Sequence, residues 1–149
     1  MSEPSTQCPL CHETGGVLIV QNPEWRLIRA EDRAFPAFYR LVWQAHVAEF
    51  SDLDLAQRQR CMEIVCRVEQ VLRTALSPTK INLASLGNVV PHLHWHIIAR
   101  FDWDSHFPQP VWGQAQREPD MEPEARLAVP LAQLDQRMRE ALAGFSQGT

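Results

Sequence analysis

The 149-residue sequence predicts an α+β fold: a mostly antiparallel sheet of about five strands, one long helix and a C-terminal helix. Three observations carry this reading. The length suits one ordinary domain, able to bury roughly two-thirds of its unfolded surface. Hydrophobic residues make up 45% and charged residues 21%, which fits a globular chain and excludes disordered, collagen-like and coiled-coil classes. Runs of strand-like pattern stand on both sides of a single long helical one, the order expected of an antiparallel sheet with helices beside it.

Taken in order, residues 1–15 read as irregular, and Gly15-Gly16 ends them. Val17–Val20 reads as a short strand, Asn22-Pro23 as a turn, and the alternating Trp25–Arg29 as the second strand of a hairpin. A loop over 30–37 closes at Phe35-Pro36, and Phe38–Trp43 forms the third strand. From about Ser51 to Leu76, Leu55, Met62, Val65, Val68, Val71, Leu72 and Leu76 recur near helical spacing. Ser51 or Asp52 caps this helix and Ser77-Pro78 stops it. Lys80–Leu86 and His92–Phe101 read as strands separated by Gly87-Asn88. Pro91 cannot donate to a ladder, so pairing starts at or after His92. Residues 102–125 read as an ordered loop, and Leu127–Phe145 as a C-terminal helix ending at Gly144. The domain is expected to span 1–149, with its core at about 8–101 and the loop and helix at 102–149.

Fourteen basic against eighteen acidic residues leave a net charge of −4, which argues against a general nucleic-acid binder. A small anionic substrate stays compatible, because a few local donors suffice to hold one phosphate. No apolar run approaches a membrane helix, and MSEPSTQCPLC has neither a basic nor an apolar leader region. A soluble cytoplasmic protein is expected, with no membrane and no nucleic-acid partner. A phosphate-binding loop kinase is excluded by the absence of G-x-x-x-x-G-K-[ST].

The cysteines divide into two kinds. Cys61 and Cys66 fall in the helical pattern and read as buried small hydrophobes. Cys8-Pro9-Leu10-Cys11 has a spacing that pinches two thiolates onto one metal ion; otherwise it is a reduced or redox-active pair. The chemistry concentrates in His92-Leu93-His94-Trp95-His96. On a strand, alternate residues share a face at roughly 6.5–7 Å, so the three histidines project to one side and Leu93, Trp95 and Ile97 to the core. Two histidines at i and i+2 are also able to share a metal ion.

His-φ-His-φ-His-φ-φ after a Gly-polar pair resembles the signature of the histidine triad (HIT) proteins, nucleotide hydrolases and transferases. The likeness runs from about Cys8 to Arg100 and takes in CPLC, FPAFYRLVWQAH and LGNVVPHLHWHIIAR. It looks closest to bacterial branches described as diadenosine tetraphosphate hydrolase-like. The resemblance implies a HIT-like fold and a homodimer whose two sheets join into one. It also implies hydrolysis of a nucleoside phosphoramidate or a dinucleoside polyphosphate at the α-phosphate, through P–N or phosphoric anhydride bond cleavage. His94 falls at the nucleophile and His96 at the phosphate-binding histidine. Asn82, Gly87 and Asn88 fall at substrate-contacting positions, and Cys8, Cys11, His46 and His92 at those of a structural zinc site, with His12 a competitor for His46. Glu31 or Asp32 is placed near the ribose, and Leu27 or Ile28 near the base. Tails like that bearing Trp103, His106, Phe107 and Trp112 often reach toward the partner's site in this family. One departure is Val89, where many members carry Ser or Thr. Two alternatives remain: a non-catalytic nucleotide-binding or regulatory module, and a metal-dependent hydrolase using the H-x-H-x-H face. Trp25, Trp43 and Trp95 read as core or dimer aromatics, and Arg40 and Arg100 as phosphate-attracting or merely solvated cations.

Overall fold

The computed structural model describes residues 4–145; the first three residues of the N-terminal stretch and residues 146–149 lie outside the described residues. Five strands form one sheet: β1 (Val17–Gln21), β2 (Trp25–Arg29), β3 (Phe38–Trp43), β4 (Lys80–Ala84) and β5 (His94–Arg100). Their order is β1-β2-β3-β5-β4, and every neighbouring pair is antiparallel. The β1–β2 turn is built by Asn22, whose side-chain oxygen accepts from the backbone N–H groups of Glu24 and Trp25, both at 2.9 Å. The N-terminal stretch is not wholly irregular, since α1 (Pro9–His12) makes one helical turn across the C-x-x-C segment.

The long helix α2 (Leu55–Leu76) starts later than its sequence pattern. Ser51 and Asp52 belong to a separate 3-10 turn, and the cap is Asp54, paired reciprocally with Gln57. Leu53 lies between the two, buried against the core, and its extended backbone interrupts the helix. At the other end Ser77 takes the left-handed conformation (φ 47°) and Pro78 follows, which stops the helix as its sequence predicts. Cys61, Ile64, Val65, Val68 and Leu72 face the sheet. Cys66 is exposed rather than buried: five residues along a helix turn the side chain about 140° away from Cys61.

Strand alternation gives the sheet two unlike faces. Leu27, Tyr39, Leu41, Trp43, Ile97 and Ala99 pack under α2 and α3 (Leu131–Leu142). The opposite face carries Phe38 and Ile98, packed with Ala30 and Phe35, together with the polar side chains of the site. The helix α3 begins four residues later than the sequence pattern, because Pro130 occupies its N-cap and Pro123–Arg126 forms a separate 3-10 turn. It is anchored by Leu134, Met138 and Leu142 and by Asp135, which accepts from Tyr39 Oη at 2.7 Å and from Arg29 Nε at 3.0 Å. No helix among the described residues is long and apolar enough to cross a membrane.

Candidate functional site

The three histidines do not share one face. β5 starts at His94, and His92 lies before it, its N–H turned back to the Val90 carbonyl at 2.8 Å. Each ring is fixed by a different bond, and each bond assigns a tautomer. His92 Nε2–H donates to the Trp43 carbonyl at 2.6 Å, so its Nδ1 keeps a lone pair. His94 Nδ1–H donates to the His92 carbonyl at 2.6 Å, so its lone pair is on Nε2. Arg40 Nε–H donates to His96 Nδ1 at 3.3 Å, so His96 bears its proton on Nε2. His94 and His96 stand edge to face at 4.8 Å between centroids. Burial lowers the proton affinity of both below the ordinary imidazole value, and Arg40 adds to the effect. For His96, burial, His94 and Arg40 together push the pKa down to about 3. Both rings are therefore neutral at pH 7: one offers a lone pair, the other an N–H.

His92 Nδ1 points to the cysteines. It lies 3.4 Å from Cys8 Sγ, 3.5 Å from Cys11 Sγ and 3.3 Å from His46 Nδ1, and Cys11 Sγ is 3.3 Å from His46 Nδ1. All four ligand atoms fall within 4.8 Å of one another. A tetrahedral zinc with ordinary bond lengths would set its nitrogens about 3.3 Å apart and nitrogen from sulfur about 3.6 Å. The donor set therefore fits a metal ion, and these four residues could bind one. His12, the competing ligand, is engaged elsewhere, its Nε2–H donating to the Ser5 carbonyl at 2.6 Å. Arg26 holds the segment in place. Its guanidinium donates to the carbonyls of Leu10, Glu13 and Thr14 at 2.9–3.1 Å and to Gln44 Oε1 at 2.7 Å. Nothing in the sequence marked Arg26, because its partners are carbonyls of a segment that comes near only in the fold.

The remaining candidates surround the pair less tightly. Asn82 lies on the triad face of β4, but its Oδ1 accepts from Arg100 at 2.8 Å, leaving its amide N–H groups to be offered. Gly87 has φ +73°, a conformation that suits glycine, in the loop between β4 and β5. Asn88 is exposed in that loop, as is Val89, whose side chain offers no donor. Ser85 Oγ–H ties the loop to the His94 carbonyl at 2.9 Å. Leu27 and Ile28 are both fully buried, Leu27 in the main core, so neither lines an open base pocket. Asp32 is spent on the backbone N–H groups of Ala34 and Phe35.

The segment after β5 folds onto its own triad. Arg100 is buried and paired in two bonds with Asp104, at 2.8 and 3.0 Å, and donates to the Gln109 carbonyl at 2.7 Å. It is thus a structural cation, not a solvated one. Beyond it, Trp112 reaches within 5.0 Å of His96 and 6.5 Å of Phe38, edge to face, with about half its surface exposed. Trp25 and Trp43 are core residues, and Trp95 packs against that core beside Phe50.

This arrangement has known counterparts. The HIT domain profile matches residues 12–103, and the chain belongs to that family, whose members are generally nucleotide hydrolases or binders. Among solved structures, it is similar to a histidine triad protein from Bradyrhizobium japonicum, with 30% identity over 86% of this chain and 91% of that one and a TM-score of 0.69. A histidine triad (HIT) protein from Sinorhizobium meliloti is 32% identical over 87% and 91%, with a TM-score of 0.67. A Zn-bound histidine triad family protein from Mycobacterium smegmatis shares the fold at 15% identity over 96% and 98%, with a TM-score of 0.57. Comparison with curated proteins gave no match.

Proposed function

We propose that this protein is a nucleotide hydrolase that forms a nucleotidyl-histidine on His94 and releases a nucleoside monophosphate. One observation carries the reading: the 2.6 Å bond from His94 Nδ1–H to the His92 carbonyl, which leaves the Nε2 lone pair of a half-buried ring for an incoming phosphorus. His94 Nε2 bonds to the α-phosphorus as the bond to the leaving group breaks. Water then cleaves the P–N bond and regenerates the imidazole. His96 Nε2–H, the Asn82 and Asn88 amides and the backbone at Gly87 supply donors to phosphate oxygens as negative charge builds on them. Substrates in this reading are nucleoside phosphoramidates or dinucleoside polyphosphates.

Cys8, Cys11, His46 and His92 would hold a structural zinc ion in a closed four-ligand site, as the donor set and the zinc-bound relative support. The ion would cross-link the N-terminal segment to the residue whose carbonyl fixes His94. With His92 drawn into that cluster, the three histidines do not converge on one ion, which disfavours a metal-dependent hydrolase on the H-x-H-x-H face. The reading also takes the chain as a cytoplasmic homodimer of a single HIT domain, which solution mass tests.

The decisive experiment measures AMP release from adenosine phosphoramidate and from diadenosine tetraphosphate by the wild type and by His94→Ala. We expect turnover that the substitution lowers by at least about 10³-fold and that chelator in the assay leaves unchanged. Val89 favours a second reading, a nucleotide-binding module without turnover, because its exposed side chain brings no donor to a leaving group. Nucleotide binding with no AMP release from either compound would establish that reading.

A further inference from the structure

The buried cations of the sheet are matched: Arg100 by Asp104, Arg29 by Asp135, and Arg26 by three carbonyls and an amide oxygen. Arg40 differs. Among the described residues no carboxylate lies within ion-pair distance of it; Asp32 acts on it only from farther away, the Phe38 ring lies 5.0 Å from its guanidinium, and its Nε–H is given to a neutral acceptor, His96 Nδ1. That bond restricts what His96 can do. Its Nε2–H remains a donor, but a second proton would have to enter at Nδ1, against an N–H and a positive charge. The other rings packed on His96 are His94, Phe38 and Trp112, at 4.8, 5.5 and 5.0 Å, and none of them is an acid. Burial and the two neighbouring basic groups act in the same direction. The triad face thus holds a nucleophile and a neutral hydrogen-bond donor, with Val89 bringing no hydroxyl.

The leaving group feels this difference. When His94 Nε2 bonds to the α-phosphorus of an anhydride, the P–O bond breaks with its electron pair on the departing phosphate, a stable anion that needs no proton. When the P–N bond of a phosphoramidate breaks, the pair goes to nitrogen, which must take a proton to leave as an amine. A neutral imidazole is too weak an acid to supply it. On the nucleotidyl-histidine reading above, we infer that Arg40 is a positioning residue that holds His96 as a neutral donor, and that the substrates are nucleotides whose α-phosphate is joined to further phosphate rather than to nitrogen.

The test compares kcat/KM for AMP release from diadenosine tetraphosphate and adenosine phosphoramidate in the wild type, Arg40→Met and Arg40→Lys. General acid help is worth about 10²–10⁴-fold, so the wild type should favour the anhydride by about 10²-fold or more. Arg40→Met opens Nδ1 but leaves the burial that does most to keep His96 neutral, so it should shrink that ratio by about threefold, and Arg40→Lys should keep most of it. Nitrogen-15 NMR of the wild type should show His96 as the neutral Nε2–H tautomer throughout pH 5–8. A wild type that cleaves the phosphoramidate as fast as the anhydride, a His96 imidazolium near neutral pH, or a folded Arg40→Met with an unchanged ratio would overturn the inference. Absence of AMP from both compounds refutes the nucleotidyl-histidine reading itself, and this inference with it.

Discussion

Asp104→Asn probes the element that brings Trp112 to the triad. The Asp104 carboxylate is 2% exposed and accepts five bonds: two from Arg100 and three from the backbone N–H groups of Phe101, His106 and Phe107. Asparagine keeps the shape and one acceptor but removes the charge. The buried Arg100 guanidinium then retains Asn82 Oδ1, the Gln109 carbonyl and at most the one amide oxygen of the new asparagine, with no opposite charge beside it. Removing one partner of a buried ion pair costs about 3–5 kcal/mol, and the retained acceptor places this change near about 3. At a urea slope of about 2 kcal/mol/M the unfolding midpoint should fall by about 1.5 M. Acidity supplies a second signature. Burial alone would raise the Asp104 pKa, but the bonds from Arg100 and the three N–H groups outweigh it and hold the carboxyl below the usual carboxylate range. Between that lowered value and the unfolded value of about 3.9, the native state binds fewer protons than the unfolded chain. The contribution is thus complete above the unfolded pKa and is lost as pH falls through the folded one. The wild type should lose stability through this window, and Asp104→Asn should lack that component. Urea titrations at neutral and acidic pH read both effects; a variant within about 1 kcal/mol of wild type with the same acid slope would refute the reasoning.

Three further outcomes are expected. The purified protein should carry one zinc per chain, and Cys8→Ala should lose it and lower the melting temperature while His12→Ala retains it; a metal-free wild type of undiminished stability would remove the zinc assignment. Asp135→Asn should destabilise by about 3 kcal/mol in urea, because it strands both Arg29 and Tyr39 under α3. Tyr39→Phe should cost only about 1 kcal/mol, since Asp135 keeps Arg29, and equal costs would argue against that hierarchy.

The strands were legible because period-two alternation and turn residues are local properties. Trp25–Arg29 and Phe38–Trp43 have the bounds their pattern predicts. Element starts were less legible. Asp54 rather than Ser51 or Asp52 caps α2 because Leu53 is drawn into the core, a packing event with no local mark. Of the site, the H-x-H-x-H run and the C-x-x-C spacing are contiguous signals and could be read directly. His46 needed the family resemblance, since it stands 35 to 46 positions from Cys8, Cys11 and His92, and only the fold brings their ligand atoms together.

The sequence by itself determined the residue types available for chemistry, the strand and helix periods, and the balance of charge, because each depends on neighbours along the chain. The tertiary structure alone decided what those residues are able to do. Three histidines in strict alternation became a lone pair on His92 Nδ1 beside the cysteines, a lone pair on His94 Nε2 and a neutral donor at His96 Nε2, through bonds to Trp43, His92 and Arg40. Two arginines of similar appearance became a structural cation buried on Asp104 and a cation beside His96 with no carboxylate in direct ion-pair contact among the described residues. The physical reason is the same in each case: an imidazole's tautomer and a guanidinium's partner are set by acceptors and donors a few ångströms away, which strand register and chain crossing place there.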